Sequence, residues 1–154
     1  MIDVFARFAN AQSVAGDSGT IVTSGSLKLS DSSSYLRDLG AGQPVAARFY
    51  IDTAITGTTS VEFQLVLASD TGLSSNVLLL ASSGAVLSAD LTTGAYFDVG
   101  VPSVPPTLGD GLLRQHLGGR LVIVGTAGDG VFSAGLVVGN AGRTRKFVTG
   151  YTGP

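Results

Sequence analysis

The side chains able to do chemistry are few and scattered. His116 is the single histidine, cysteine is absent, and Asp and Glu together number 11 in 154 residues. Gly16-Asp17-Ser18-Gly19 has the form of a serine nucleophile loop. A nucleophilic serine needs a histidine base oriented by a carboxylate, and in the trypsin-like proteases that carry such a string the histidine precedes the serine. His116 follows it by most of the chain, so the string is expected to be a turn before a strand. Acid/base catalysis or metal binding at His116 would need further ligands or partners at workable spacing, and none flank it. It is expected to be a loop or strand-edge residue.

The carboxylates sit singly, mostly at Gly/Ser-rich turns: Asp17, Asp31, Asp70, Asp90, Asp110 and Asp129. Asp accepts local backbone hydrogen bonds in turns, which accounts for these positions without a calcium loop. No lysine follows a glycine in a phosphate-cradling loop, and GTAGDGVFSAG lacks a dinucleotide-binding order of glycines. The expectation is a non-enzymatic protein with no catalytic residue, no metal site and no cofactor.

The elements that would position any site are strands. Glu62 is the only Glu, Lys28 and Lys146 the only Lys, and Met1 the only Met. Straight-chain helix formers are thus scarce, while Val, Thr, Ile, Phe and Tyr suit a pleated, half-buried surface. The 22 glycines are about twice average usage and the 13% charged fraction about half of it. With zero Cys there is no disulfide framework. A single domain over 1–154 can bury one ordinary core.

Val45 to Asp52 alternates, with Val45, Ala47, Phe49 and Ile51 predicted inward and Ala46, Arg48, Tyr50 and Asp52 outward. Ser60 to Ser69 alternates likewise, with Val61, Phe63, Leu65 and Leu67 inward and Glu62, Gln64 and Val66 outward. Thr53 to Thr59, which contains Gly57, reads as the loop between them. Further apolar runs lie at Ile21–Val22, Val77–Ala81, Ala85–Ser88, Tyr96–Val101, Leu121–Gly125 and Val131–Val138. Together these predict an all-β antiparallel sandwich of about eight short strands, with a jelly roll as the natural candidate. Residues 38–139 form its core, 1–37 an extended arm or edge strands, and 140–154 a tail.

Leu121 to Val124 and Gly135 to Val138 are apolar at consecutive positions. Such strands belong to a sheet covered on both faces, so a long loop or another subunit must cover whichever pair faces away from the core, Val122 and Val124 or Leu121 and Ile123. The prolines of Val101 to Gly111 mark an extended connection. No apolar stretch approaches the roughly 20 residues of a membrane span, and no export signal is visible. After Asp129 come Arg143, Arg145 and Lys146 and no acid, a basic stretch suited either to an acidic protein surface or to a solvated tail. Three charges on a chain of net charge −2 argue against nucleic-acid binding. The sparse charge also points to a surface largely covered by partners, the alternative being a soluble β domain with a Ser/Thr/Gly-rich polar surface.

From Asp38 onward the chain resembles the jelly-roll capsid cement (decoration) proteins of tailed, mainly short-tailed, bacteriophages. The likeness is carried by DLGAGQP (Asp38 to Pro44), an alternating strand ending at Asp52, LVLASD (Leu65 to Asp70), LASSGAV (Leu80 to Val86), LTTGAYF (Leu91 to Phe97) and FSAGLV (Phe132 to Val137). It spans roughly Asp38 to Gly139. The chain departs from the family at GGRLVIVGT (Gly118 to Thr126), where relatives often carry an aromatic-rich strand, and in continuing through Asn140 to Pro154.

The resemblance implies a virion protein, made in the host bacterial cytoplasm and bound to the outer capsid surface between major capsid proteins. It also implies self-association, as a homodimer before a trimer. Contacts with capsid or sister subunits are expected at Arg143, Arg145, Lys146, Phe147 and Tyr151 of the tail and at Val122 and Val124. Neither nucleic acid nor membrane is an expected partner. The competing reading is a phage tail or receptor-binding domain that recognises carbohydrate; the absence of Trp and the presence of only 4 Tyr speak against it.

Overall fold

The computed structural model describes residues 6–29, 45–102 and 114–138. They form one antiparallel sheet of seven strands. In chain order these are β1 (Arg7–Ser13), β2 (Ser18–Val22), β3 (Leu27–Lys28), β4 (Val45–Ala68), β5 (Leu78–Leu87), β6 (Tyr96–Gly100) and β7 (His116–Val138), with a 3-10 turn at Ser88–Asp90.

Two strands dominate. β4 runs for 24 residues and β7 for 23, and they pair along their whole length, from Val45 opposite Val138 to Ala68 opposite His116. Each is shared by two groups of neighbours. The first half of β4 pairs with β6 and its second half with β5. The end of β7 pairs with β1, and its start with β2 and β3.

The ribbon is creased in its middle. Between Ile51 and Ser60 the β4–β7 register shifts four times, and each bulge bends the strand and increases its twist. At Gly57 (φ +79°) a Cβ would lie 2.8 Å from both the Gly128 nitrogen and the Thr126 oxygen, so the two backbones close on each other only because this residue has none. The sheet therefore doubles back on itself. Ala47, Phe49, Ile51, Phe132, Ala134 and Leu136 from one half join Val61, Phe63, Leu65, Leu67, Leu121 and Ile123 from the other in a single buried cluster.

Aromatic rings pin the halves together. Phe49 meets Phe63 at 5.1 Å between centroids, and Phe63 stacks on Phe97 at 4.9 Å. Gly119 provides the room: a Cβ there would stand 2.8 Å from the Phe49 ring.

Several sequence expectations are corrected. Thr53 to Thr59 is not a loop but the creased middle of β4. Its β-branched Thr and Ile residues keep the chain extended while bulges supply the bend that a turn would otherwise provide. For the same reason Leu121–Gly125 and Val131–Val138 are one strand, and Val77–Ala81 and Ala85–Ser88 merge into β5. The result is seven strands with two very long ones, not about eight short ones.

The early polar segment provides edge strands, and Phe8, Ala9, Val14 and Leu27 join the main core. β1 itself was not foreseen. Three residues expected outward are buried: Ala46, Gln64 and Val66. Val66 and Ala68 form a second small cluster with Leu73, flanked by Val22 and Val77. Leu73 reaches them from the loop after β4, held by Asp70, which accepts hydrogen bonds from the backbone N–H groups of Ser74 and Ser75 and from the Ser74 hydroxyl. A loop thus covers one end of the outer face.

Candidate interaction surface

Val122 and Val124, the contact residues expected on β7, lie on the outer face of the β5–β4–β7 half. Side chains on this face follow the register in rows. Leu87, Ser60 and Val124 form the row at the crease, followed by Ala85, Glu62 and Val122, then Ser82, Gln64 and Arg120, then Leu79, Val66 and Gly118. Val122 is half-buried, while Val124 is 52% exposed, Leu87 58% and Leu79 46%. These are three of the four exposed large apolar side chains among the described residues. An apolar side chain on an otherwise folded face contributes nothing to the core and gains only if something covers it.

The middle rows are polar and connected. Arg120 Nε donates to Gln64 Oε1 at 2.7 Å. Gln64 Nε2 donates to Glu62 Oε1 at 2.8 Å, and the Ser82 hydroxyl donates to the same oxygen. The Ser82 bond first and then the Gln64 bond hold the Glu62 carboxyl below its ordinary value against the opposing effect of burial, with the nearby Arg120 charge adding least. This network explains how Gln64, on an outward position, is 6% exposed: its amide is satisfied from both sides.

The outer face of the other half has a different character. Arg48 grips Asp98 in a two-pronged pair, Nε to Oδ1 and Nη2 to Oδ2, both 2.7 Å. Its guanidinium lies 4.2 Å from the centre of the Tyr96 ring. The Asp98 hydrogen bond raises the Arg48 pKa further and fixes it as a cation. Tyr50, opposite Tyr96 in the register, is 37% exposed. Stacking of a sugar would need an open aromatic face, and one face of Tyr96 is taken by Arg48.

The other sequence-derived candidates separate. Ser18 opens β2 beside Thr126, whereas His116 opens β7 beside Lys28 and Ala68, at the far end of that stretch of β7. Val14 to Asp17 forms a hydrogen-bonded turn into β2, as the string predicted. His116 is a strand-end residue, as expected, and its Nδ1 is buried with no hydrogen-bond partner among the described residues. Among the described residues no three His, Cys, Asp or Glu side chains gather where a metal could be held. Arg143, Arg145, Lys146, Phe147 and Tyr151 lie outside the described residues.

Sequence reasoning missed Leu79 and Leu87. Both look outward, but bulges in β5 between Leu79 and Ala81 and between Ser82 and Ala85 break the two-residue period that would have separated them from inward Leu78 and Val86.

Comparison with known proteins adds one positive finding. The family model described as Bbp16 matches residues 8–136, from within β1 to near the end of β7. No curated protein matches the chain.

Proposed function

The chain belongs to the Bbp16 family, and we propose that it is a structural, non-enzymatic virion protein, a jelly-roll cement protein that binds the outer capsid surface of a tailed bacteriophage between major capsid proteins and stabilises the shell. The reading rests on the likeness of residues 38–139 to cement proteins. One structural observation supports it most: a doubled-back sheet with a buried apolar core presents Leu79, Leu87 and Val124 outward around a nearly charge-neutral polar network. Such a face suits a permanent contact better than free solvent.

In this reading the creased β4–β7 ribbon, with β5 and β2/β3 flanking one half and β6 and β1 the other, is the pair of sheets of a jelly roll. Its work is physical. An interface of standard size buries roughly 1,200–2,000 Å², and an oligomer that grips several capsid subunits at once gains avidity without new kinds of contact. Partners are the major capsid protein and further copies of the chain. Co-sedimentation with assembled capsids tests the proposal.

A further inference from the structure

Val66 and Ala68 lie on the outer face of β4, away from the main core, and both are 0% exposed. They are covered by residues 69–76, the segment between β4 and β5. Its sequence, SDTGLSSN, holds one large apolar residue, Leu73, which is buried. Gly118 makes the seat for it: a Cβ there would stand 2.5 Å from Leu73 Cδ1. Val66, Ala68 and Leu73, flanked by Val22 and Val77, form a cluster separate from the main core.

The segment is closed on itself. At its neck the Ser75 carbonyl accepts from the Ser69 N–H at 3.1 Å and from the Ser69 hydroxyl at 3.2 Å. Inside, the Asp70 carboxylate accepts the Ser74 and Ser75 N–H groups at 3.0 and 2.7 Å and the Ser74 hydroxyl at 2.8 Å. Among the described residues, two hydrogen bonds tie it to its surroundings, from the Ser26 hydroxyl to the Thr71 carbonyl and from Arg114 Nε to the Asn76 carbonyl. Compact loops with pinched ends have the makings of a unit that opens locally.

Leu73 also carries strain. Its φ is +52°, where the Cβ of a leucine crowds the following carbonyl. Burial of one side chain therefore holds the segment down, and relief of its backbone favours lifting it.

We propose that residues 69–76 are a strap that lifts from the sheet as a unit, with Leu73 as its plug and Asp70 as the clasp that keeps its shape, while the main core stays folded. Lifting uncovers Val66 and Ala68 next to Leu79, which stands opposite Val66 in the register and is already exposed. The strap thus sets how much apolar surface this face offers. The uncovered seat fits a leucine-sized aliphatic side chain, since Leu73 already fills it. That a capsid protein supplies this side chain rests on the cement reading above.

The chain has no cysteine, so one introduced thiol reports the opening. Val66→Cys lies under the strap; Val61→Cys, on the same strand and equally buried, lies in the main core. In the full-length folded protein a soluble disulfide reagent labels Val66→Cys roughly 100-fold faster than Val61→Cys, because local opening outruns global unfolding. Asp70→Ala removes three hydrogen bonds within the strap and no atom of the seat. It speeds labelling of Val66→Cys roughly 10-fold and leaves Val61→Cys unchanged; Leu73→Ala acts in the same direction. Equal labelling of the two thiols, or substitutions that quicken both alike or neither, overturns the strap. Saturating capsids slow the labelling of Val66→Cys roughly 10-fold or more, and an unchanged rate on bound protein overturns the use of the seat there. Fast, strap-dependent labelling in a protein that binds no capsid overturns the capsid reading alone; capsid binding with two equally slow thiols overturns the strap alone.

Discussion

Phe49 and Phe63 belong to the same strand, yet their ring centroids are 5.1 Å apart. An extended strand rises about 3.3 Å per residue and would hold them roughly 45 Å from one another. Their contact measures how completely the crease at Thr53–Thr59 turns the sheet over, and it makes the two halves of one ribbon into the two walls of one core.

Truncation at that contact is correspondingly costly. Phe63 is 0% exposed and touches rings from both β4 and β6, so Phe63→Ala is expected to lose about 3–5 kcal/mol. Urea unfolding at equilibrium measures it, and a loss below about 1 kcal/mol would mean that the rings do not tie the halves together.

The room beneath Phe49 is set by Gly119. Adding one methyl there places carbon 2.8 Å from the Phe49 ring and 2.7 Å from Thr23 Cγ2. Gly119→Ala should cost roughly 1–3 kcal/mol by overpacking. Combined with Phe49→Leu, which removes the obstructing ring edge, it should cost less than the sum of the two single changes, and a double-mutant cycle reads that difference. Strict additivity would show that the two residues do not meet.

Arg48 and Asp98 form the one ion pair among the described residues, with side chains 30% and 11% exposed. Partial exposure screens it, so a cycle of Arg48→Ala with Asp98→Ala is expected to give a coupling of about 0.5–1 kcal/mol. Arg48→Lys should not preserve it, because a single ammonium cannot make the paired contacts or cover Tyr96.

Acid should weaken the fold in a defined window. Glu62 is held below its ordinary 4.5 and Asp70 below its ordinary 3.8, the latter first by the Ser75 backbone N–H and then by Ser74. Both are lowered in the folded chain, so the stability they contribute is complete above the ordinary values and is lost as pH falls through the lowered ones. Urea midpoints taken between about pH 6 and pH 3 should therefore decline, and Glu62→Gln should make the decline shallower. An unaltered slope in that variant would show that the Ser82 and Gln64 bonds do not favour the carboxylate.

What the sequence made legible was local. The alternation at Val45–Asp52 and Ser60–Ser69 placed Ala47, Phe49, Ile51, Val61, Phe63, Leu65 and Leu67 inward, and all are buried. The apolar Leu121–Val124 run pointed to a strand needing a second cover; Leu121 and Ile123 are buried in the core, while Val122 is half-buried and Val124 stays exposed. The crease was not legible, because a strand bent by bulges and a strand ended by a turn share the same residues, Gly57 and its threonines. Nor was the Ser82–Glu62–Gln64–Arg120 network, whose members come from three strands far apart in the chain and meet only through register.

The central claim, attachment to a phage shell, is tested most directly by co-sedimentation of the purified protein with mature and precursor capsids, with stoichiometry read by gel densitometry. The account predicts saturable binding at a fixed ratio to the major capsid protein; failure to bind either form of capsid would contradict it.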